Sequence, residues 1–211
     1  MPRGRPRKAN SWDGKLEEHP WRMFPQESNN AKYLILGSFP PNKFTEYKER
    51  LTRCDEDFFY GSKDNSFWEL FIHAMRLNYK WPDNIEELKK WLNDNNWIVS
   101  DIVFSITRKK DSASDNQLNV NTWNKEIICD ILAVNPIEKI YFTSKWVSEN
   151  FQNNIKPDLT NYPGATTEFT LMSPSPAGLI STKWCRIYFP KNENEELDDY
   201  RKRYYEWVFA K

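Results

Sequence analysis

The sequence alternates between short apolar runs and longer segments in which apolar residues recur at helical spacing. Runs at residues 32–37, 97–104, 139–143 and 168–172 have the length and character of buried strands. Segments at residues 65–76, 85–92, 122–134, 145–151 and 195–209 predict helices. Strands that alternate with helices imply crossover connections. The pattern therefore predicts an α/β fold, a three-layer α/β/α sandwich around a central, mostly parallel four-stranded sheet.

In such a sheet, a ligand binds beyond the carboxyl ends of the strands. The segments that follow the predicted strands are residues 37–41, 104–115, 143–145 and 173–177. The second contains a basic run, Arg108, Lys109 and Lys110, and Lys145 lies in the third. We interpret Arg108, Lys109 and Lys145 as candidate phosphate contacts, with ordinary exposed charge as the alternative.

Composition and charge bound the possible functions. The 211 residues include ten Trp and are 16% aromatic, which is enough apolar material for the core of one domain. We expect this domain to cover residues 11–211, after a basic tail at residues 1–10. Within the domain, residues 11–31 are expected to be irregular. The four basic residues of the tail contribute +4 to a net charge of zero, so residues 9–211 carry −4. A mildly acidic body supplies no general attraction for nucleic acid, so DNA affinity must come from the tail and from local patches.

Other features narrow the class of protein further. Three separated cysteines and two histidines make a metal site hard to build, so we expect no metal and no cofactor. No apolar run reaches the roughly 20 residues that span a bilayer, and the basic N-terminus lacks the apolar stretch of a signal peptide. We therefore expect no membrane partner, and a location in the cytoplasm with the nucleoid, or in a nucleus.

The tail carries its own motif. Residues 2–8 resemble the AT-hook, a minor-groove arm with the core that Arg3, Gly4, Arg5 and Pro6 form here. Two arginines separated by glycine can lie along a narrow A·T groove, where the negative potential is deepest. The alternative is an unstructured basic tail or a localisation signal. The motif predicts double-stranded DNA, with AT-rich duplex preferred, as the partner.

Three further motifs follow predicted strands in a fixed order. They are Gly-x-x-Pro at residues 37–40, an aromatic loop ending in Asn-x-Phe-Trp at residues 65–68, and a Ser-Pro-rich loop at residues 173–177. Together, across about residues 32–190, the chain resembles the uracil-DNA glycosylase superfamily, closest to the branch of mismatch-specific and hypoxanthine-DNA glycosylases. The resemblance implies a monomeric, monofunctional DNA glycosylase that excises a deaminated or mismatched base in base excision repair.

The resemblance also assigns site residues. A base taken out of the duplex is held by stacking and polar contacts, for which Ser38, Phe39, Phe59 and Tyr60 are the candidates. Asn65 would orient water or the base, although an Asn before a helix is also a common N-cap. Core packing is the alternative for any one of these aromatic residues.

The chain departs from the superfamily's pattern at two positions. Where many members carry a water-activating Asp or Asn, this chain has Ser38 and Phe39, which favours the hypoxanthine-type branch, where an Asn corresponding to Asn65 is thought to act. Where many have His, it has Ser173, a weaker donor to the departing base. Asp101, Asp111 and Asp115 lie near the same sheet edge, and one of them could be an alternative general base.

The Ser-Pro-rich loop would hold the lesion strand. Ser175, Ala177 and Gly178 are candidate DNA contacts, and Leu179 is a candidate wedge between bases. The alternative is a proline-stiffened turn. Two other functions stay open: a DNA-binding protein that kept the fold and lost the chemistry, and an α/β domain that binds a free nucleobase or nucleotide.

Overall fold

The computed structural model of the chain describes residues 14–112, 114–159, 162, 164–175 and 189–211. The AT-hook-like residues Arg3, Gly4, Arg5 and Pro6 and the predicted DNA contacts at 177–179 lie outside the described residues.

The described residues form strands and helices in alternation. The strands are β1 (Leu16–Glu18), β2 (Met23–Phe24), β3 (Tyr33–Gly37), β4 (Trp97–Asp101), β5 (Val103–Arg108), β6 (Leu118–Trp123), β7 (Lys139–Phe142) and β8 (Thr167–Thr170). The α-helices are α1 (Phe67–Ala74), α2 (Ile85–Asp94), α3 (Lys125–Val134), α4 (Lys145–Asn154) and α5 (Leu197–Phe209). Short 3-10 helices lie at Asn42–Phe44, Lys48–Arg50, Asp115–Gln117 and Lys156–Asp158. None of the described helices is long and apolar enough to cross a membrane.

The central sheet has the order β2-β4-β3-β7-β8 within the described part of the chain. Strands β4, β3, β7 and β8 are parallel to their neighbours, and β2 adds an antiparallel edge to β4. The predicted four-stranded parallel core is confirmed.

Side chains of the parallel strands alternate between two buried layers. Ile35, Val99 and Tyr141 pack with α1, α2 and α5 in an aromatic-rich cluster. Leu36 and Ile140 face the other way and pack with α3 and α4 in a cluster richer in aliphatic residues. Because successive side chains of a strand point to opposite faces, helices cover both sides of the sheet. The fold is the predicted three-layer α/β/α sandwich.

The predicted strand at 97–104 is instead two strands that belong to different sheets. The chain leaves the central sheet at Ile102, whose backbone N–H donates to the carbonyl of Gly37 at 2.8 Å. Strand β5 then pairs with β1 and β6 in a small antiparallel sheet. The segment 11–31, expected to be irregular, therefore supplies an edge strand to each sheet. Strand β6 also shortens the helix predicted at 122–134, which begins at Lys125.

Candidate functional site

A cavity of about 610 Å³ opens at the carboxyl ends of the parallel strands. The end of β3 contributes Ser38 and Phe39, β4 contributes Asp101, and Thr143 and Ser173 lie beyond β7 and β8. Tyr60 and Asn65, from the loop before α1, line the same cavity. Residues from all three sequence motifs therefore share one cavity, at the edge where parallel sheets bind ligands.

The buried carboxylate of Asp101 organises the floor of this cavity. Its Oδ2 atom lies 2.7 Å from His19 Nε2, and its Oδ1 atom accepts a hydrogen bond of 3.1 Å from the Tyr60 hydroxyl. The backbone N–H of Trp21 donates to His19 Nδ1 at 3.1 Å, so the imidazole hydrogen sits on Nε2 and points at Asp101. Both oxygens of Asp101 are therefore committed to protein donors.

Gly37 allows these groups to meet at the end of β3. A Cβ atom at Gly37 would lie 2.2 Å from the Tyr60 hydroxyl oxygen and 2.4 Å from Asp101 Oδ1. No side chain fits at these distances, so the glycine of the first motif is required by close packing against the floor.

Tyr60 is held in an uncommon backbone conformation. Its φ is +55°, in the left-handed region that non-glycine residues rarely adopt. The phenol ring packs against Phe67 with ring centroids 4.5 Å apart. Burial, and then the negative charge of Asp101, raise the pKa of Tyr60 well above its usual value, so its hydroxyl stays protonated. The ring forms part of the cavity lining.

Asn65 bonds to the start of α1 and also lines the cavity. Its Oδ1 atom accepts a hydrogen bond of 2.9 Å from the backbone N–H of Phe67, at the start of α1. Its Nδ2 group donates to none of the described residues and can serve a ligand in the cavity. Next to it, the Ser66 hydroxyl donates to the carbonyl of Pro174 at 2.9 Å, which ties this turn to the Ser-Pro-rich loop.

The described part of the Ser-Pro-rich loop is supported by α5. Arg201 Nη2 donates to the Ser175 carbonyl at 2.9 Å, and the Tyr205 hydroxyl donates to the Met172 carbonyl at 2.8 Å. Ser173 and Ser175 both line the cavity, and Ser173 Oγ accepts a weak hydrogen bond of 3.4 Å from the Ser175 N–H. These contacts hold the backbone of residues 172–175 at the cavity.

Of the three candidate bases, Asp101 and Asp115 line the cavity and Asp111 does not. Burial, then the charge of Asp101, raise the pKa of Asp115 to about 6, against the effect of a hydrogen bond with Ser38. Asp111 bonds to Asn42 Nδ2 at 2.5 Å and to Arg50 at 3.0 Å outside the cavity. Asp115 is therefore the carboxyl group here whose ionisation falls near neutral pH.

The prediction that Phe59 binds the base is wrong. Its side chain is 1% exposed and packs against Trp21 with ring centroids 5.3 Å apart, outside the cavity lining. Its neighbour Phe58 lines the cavity instead. In an irregular loop no periodicity shows which of two adjacent aromatic residues points inward.

The prediction that Arg108 contacts DNA is also wrong. The side chain is buried, and its Nε donates to Glu17 Oε1 at 2.8 Å. Its two terminal nitrogens donate to the carbonyls of Pro40 at 2.6 Å and Ser112 at 2.9 Å. All three nitrogens of the guanidinium group thus donate to protein acceptors rather than to phosphate. The bond to the Pro40 carbonyl supports the loop after β3.

The two predicted lysine contacts occupy different positions. Lys109 is exposed on the turn between β5 and β6 and stays a candidate phosphate contact away from the cavity lining. Lys145 lines the cavity and forms an ion pair of 3.2 Å with Glu149 on the next turn of α4.

Sequence reasoning missed the roles of His19 and Trp21. His19 supports Asp101 from 82 positions away, and Trp21 lines the cavity beside it. Both lie in the segment expected to be irregular. A histidine among aromatic residues was the available signal, but nothing in the sequence pairs it with Asp101.

Comparison with known proteins supports the fold. No protein-family model matches the sequence, and no curated protein is significantly similar to it. Similar solved structures include the solution NMR structure of a Methanosarcina acetivorans protein described provisionally as a uracil DNA glycosylase. The two chains are 22% identical, the alignment covers 89% of this chain and 95% of that chain, and the TM-score is 0.50. At this identity the likeness shows a shared uracil-DNA-glycosylase-like fold.

Proposed function

We propose that this protein is a DNA glycosylase of the uracil-DNA glycosylase superfamily, from the branch of mismatch-specific and hypoxanthine-DNA glycosylases. It would hydrolyse the N-glycosidic bond of a deaminated or mismatched base, with hypoxanthine favoured over uracil. One observation carries the proposal: Tyr60, Asn65, Asp115 and Ser173 line a single cavity at the carboxyl ends of the parallel strands.

The size and lining of the cavity suit a nucleotide turned out of a duplex. Its volume of about 610 Å³ is in the range of small-ligand pockets. Phe39, Phe58 and Tyr60 supply aromatic surface, and polar groups of Asn65 and Ser173 lie on the same lining. A flipped base is bound by this combination of stacking and hydrogen bonds to its polar edge.

Each polar group has a task in the proposed reaction. The Nδ2 of Asn65, which donates to none of the described residues, would donate to the base or to the attacking water, and Ser173 would hydrogen-bond to the base as negative charge develops on it. Lys145 at the cavity lining and Lys109 away from it would contact phosphates, and Arg3 and Arg5 would anchor the tail in a neighbouring minor groove.

A second candidate function is DNA binding without catalysis. Phe39 is buried at the position where a water-activating group stands in many glycosylases, and it offers no polar atom. A protein that lost its chemistry and kept its fold would show such a replacement.

Incision of lesion-bearing duplexes tests the proposal. We expect wild-type protein to leave alkali-labile abasic sites in duplexes that contain hypoxanthine, uracil or a G·T mismatch, fastest with hypoxanthine. Asn65→Asp keeps the oxygen that bonds to Phe67 and removes the Nδ2 donor, so its rate should fall at least about tenfold without loss of stability.

Asn153→Ala, on the exposed face of α4, is the matched control and should keep the wild-type rate. Binding to duplex with no product from any lesion would reject the enzyme and support the non-catalytic alternative. A wild-type rate for Asn65→Asp would show that the reaction does not need the Nδ2 donor of Asn65.

A further inference from the structure

The positive charges that line the cavity are already paired with carboxylates. Lys43 Nζ lies 2.5 Å from Asp55 and 3.7 Å from Asp64. Lys145 forms its ion pair with Glu149. A ligand in the cavity therefore meets no uncompensated cation among the described lining residues.

Asp101 and Asp115, two of the three aspartates that line the cavity, differ in their partners. Asp101 accepts from His19 and Tyr60, one donor to each oxygen. Asp115 has a hydrogen bond with the Ser38 hydroxyl and makes no ion pair with any residue in the described part of the chain. When ionised, the carboxylate of Asp115 can still accept an interaction from a ligand.

The backbone around Asp115 is fixed. Asp115 begins a 3-10 helix whose Gln117 N–H donates to the Ser114 carbonyl at 2.9 Å. The Gln117 carbonyl accepts from the Lys109 N–H at 2.9 Å, at the start of the β5–β6 pairing. The carboxyl group is thus presented to the cavity from a turn that is anchored on the small sheet.

Other charged groups around Asp115 set the pH at which it ionises. Burial and the charge of Asp101 on β4 raise its pKa to about 6, while Ser38 and the charge of Arg108 on β5 oppose the rise. The remaining charged residues of the lining are Lys43, Asp64 and Lys145. Above pH 6 the cavity lining therefore holds a carboxylate that forms no ion pair with any described residue.

A carboxylate in this state favours a ligand that carries positive charge. When an N-glycosidic bond breaks, its electron pair leaves with the base, and the sugar becomes cationic like an oxocarbenium ion. Water then adds to C1′, its proton passes to a carboxylate and on to solvent, and the departing base takes up a proton. Charge fixed beside the developing cation lowers the barrier because it needs no reorganisation.

We propose that Asp115 is the catalytic carboxylate of this site, facing the deoxyribose and stabilising its positive charge as the base departs. This assignment rests on the proposed function and adds a residue to it. Ser38, whose hydroxyl favours the ionised form of this carboxyl group, lines the same cavity.

Abasic-site analogues test the assignment without requiring turnover. One duplex carries a pyrrolidine, whose protonated nitrogen imitates the cationic sugar, and a matched duplex carries a neutral tetrahydrofuran. At pH 8 we expect wild-type protein to bind the pyrrolidine duplex at least about tenfold more tightly. The preference should fall several-fold at pH 5, where Asp115 is protonated.

Substitutions at the aspartates identify the group responsible. Asp115→Asn should bind both duplexes almost equally at both pH values, whereas Asp111→Asn, outside the cavity, should keep the wild-type preference. Ser38→Ala removes the hydrogen bond that lowers the pKa of Asp115, so the pH at which half of the preference is lost should move upward.

The outcomes separate the two proposals. If wild-type protein excises no base but its preference for the pyrrolidine duplex disappears in Asp115→Asn, the glycosylase reaction is rejected and the cation-binding role of Asp115 stands. If bases are excised and Asp115→Asn keeps both the rate and the preference, the role of Asp115 is overturned and the glycosylase stands. Equal affinity of the wild-type protein for the two duplexes would also overturn the role of Asp115.

Discussion

Two regions on either side of the loop after β3 bury charge in opposite ways. Behind the loop, Glu17 of β1 and Arg108 of β5 form an ion pair of 2.8 Å, and both side chains are almost completely enclosed. In front of it, Asp115 faces the cavity with the hydroxyl of Ser38 as its partner. The first region satisfies its donors within the protein, and the second leaves a carboxylate for a ligand.

The difference separates residues that build the site from residues that can act in it. Arg108 donates to the Pro40 carbonyl, and its guanidinium carbon lies 5.6 Å from the centre of the Phe39 ring. It therefore sets the position of the loop that forms one wall of the cavity. A buried charge whose donors are all bonded keeps the neighbouring backbone in place, because moving it would leave buried donors without acceptors.

The largest loss of stability should come from removing the ion pair between Glu17 and Arg108. Arg108→Ala leaves the carboxylate of Glu17, in a residue 1% exposed, without its cation and the Pro40 carbonyl without its donor. We expect the free energy of unfolding to fall by about 3–5 kcal/mol. Chemical denaturation at pH 7 measures it.

Lys109→Ala is the control, because this neighbouring lysine is exposed and should leave stability within about 0.5 kcal/mol of wild type. Arg108→Lys should not restore stability, since one ammonium group cannot reach all three acceptors. A loss below about 1 kcal/mol in Arg108→Ala would mean that the buried pair does not support the loop.

Much of the fold follows from local patterns. Buried parallel strands need continuous apolar runs, so residues such as Ile35 and Tyr141 identify the core of the sheet from the sequence. Topology then places the ends of these strands together. Ser38, Asp101, Thr143 and Ser173 share the cavity for that reason, although they are far apart in the chain.

What the sequence did not show depends on pairings between distant segments. Arg108 looks like a surface residue in a basic run, and its partner Glu17 lies 91 positions away in a strand of three residues. His19 reaches Asp101 in the same way. Short edge strands carry too few residues for a periodic pattern, so the small sheet and the support it gives to the site could not be predicted.

Substitution of Asp115 should change stability by a smaller amount and in the opposite direction, because it should stabilise the folded protein. Its pKa is about 6 in the folded protein and near 3.8 when unfolded, so the unfolded state loses its proton first as pH rises. Stability is therefore lost between about pH 4 and pH 6 and stays lower above that range. At pH 8 the free energy of unfolding of Asp115→Asn should therefore be about 1–3 kcal/mol higher than that of wild type.

At pH 4 the same substitution should leave stability almost unchanged, because wild-type Asp115 is then protonated. Urea denaturation at the two pH values measures the difference. A variant less stable than wild type at pH 8 would show that the carboxylate is satisfied within the protein, and the contrast with the Glu17–Arg108 pair would disappear.

The smallest effect concerns the exposed part of the basic run. Lys109 and Lys110 are exposed beside the buried Arg108, so they can reach phosphate without disturbing the fold. Replacing both with Ala should weaken duplex binding a few-fold at moderate salt and reduce the slope of log affinity against log salt by about 2, near one per phosphate contact. Fluorescence anisotropy between 50 and 200 mM salt measures this slope. An unchanged slope would place the DNA on another face, and a loss of stability like that of Arg108→Ala would show that these lysines belong to the supporting region as well.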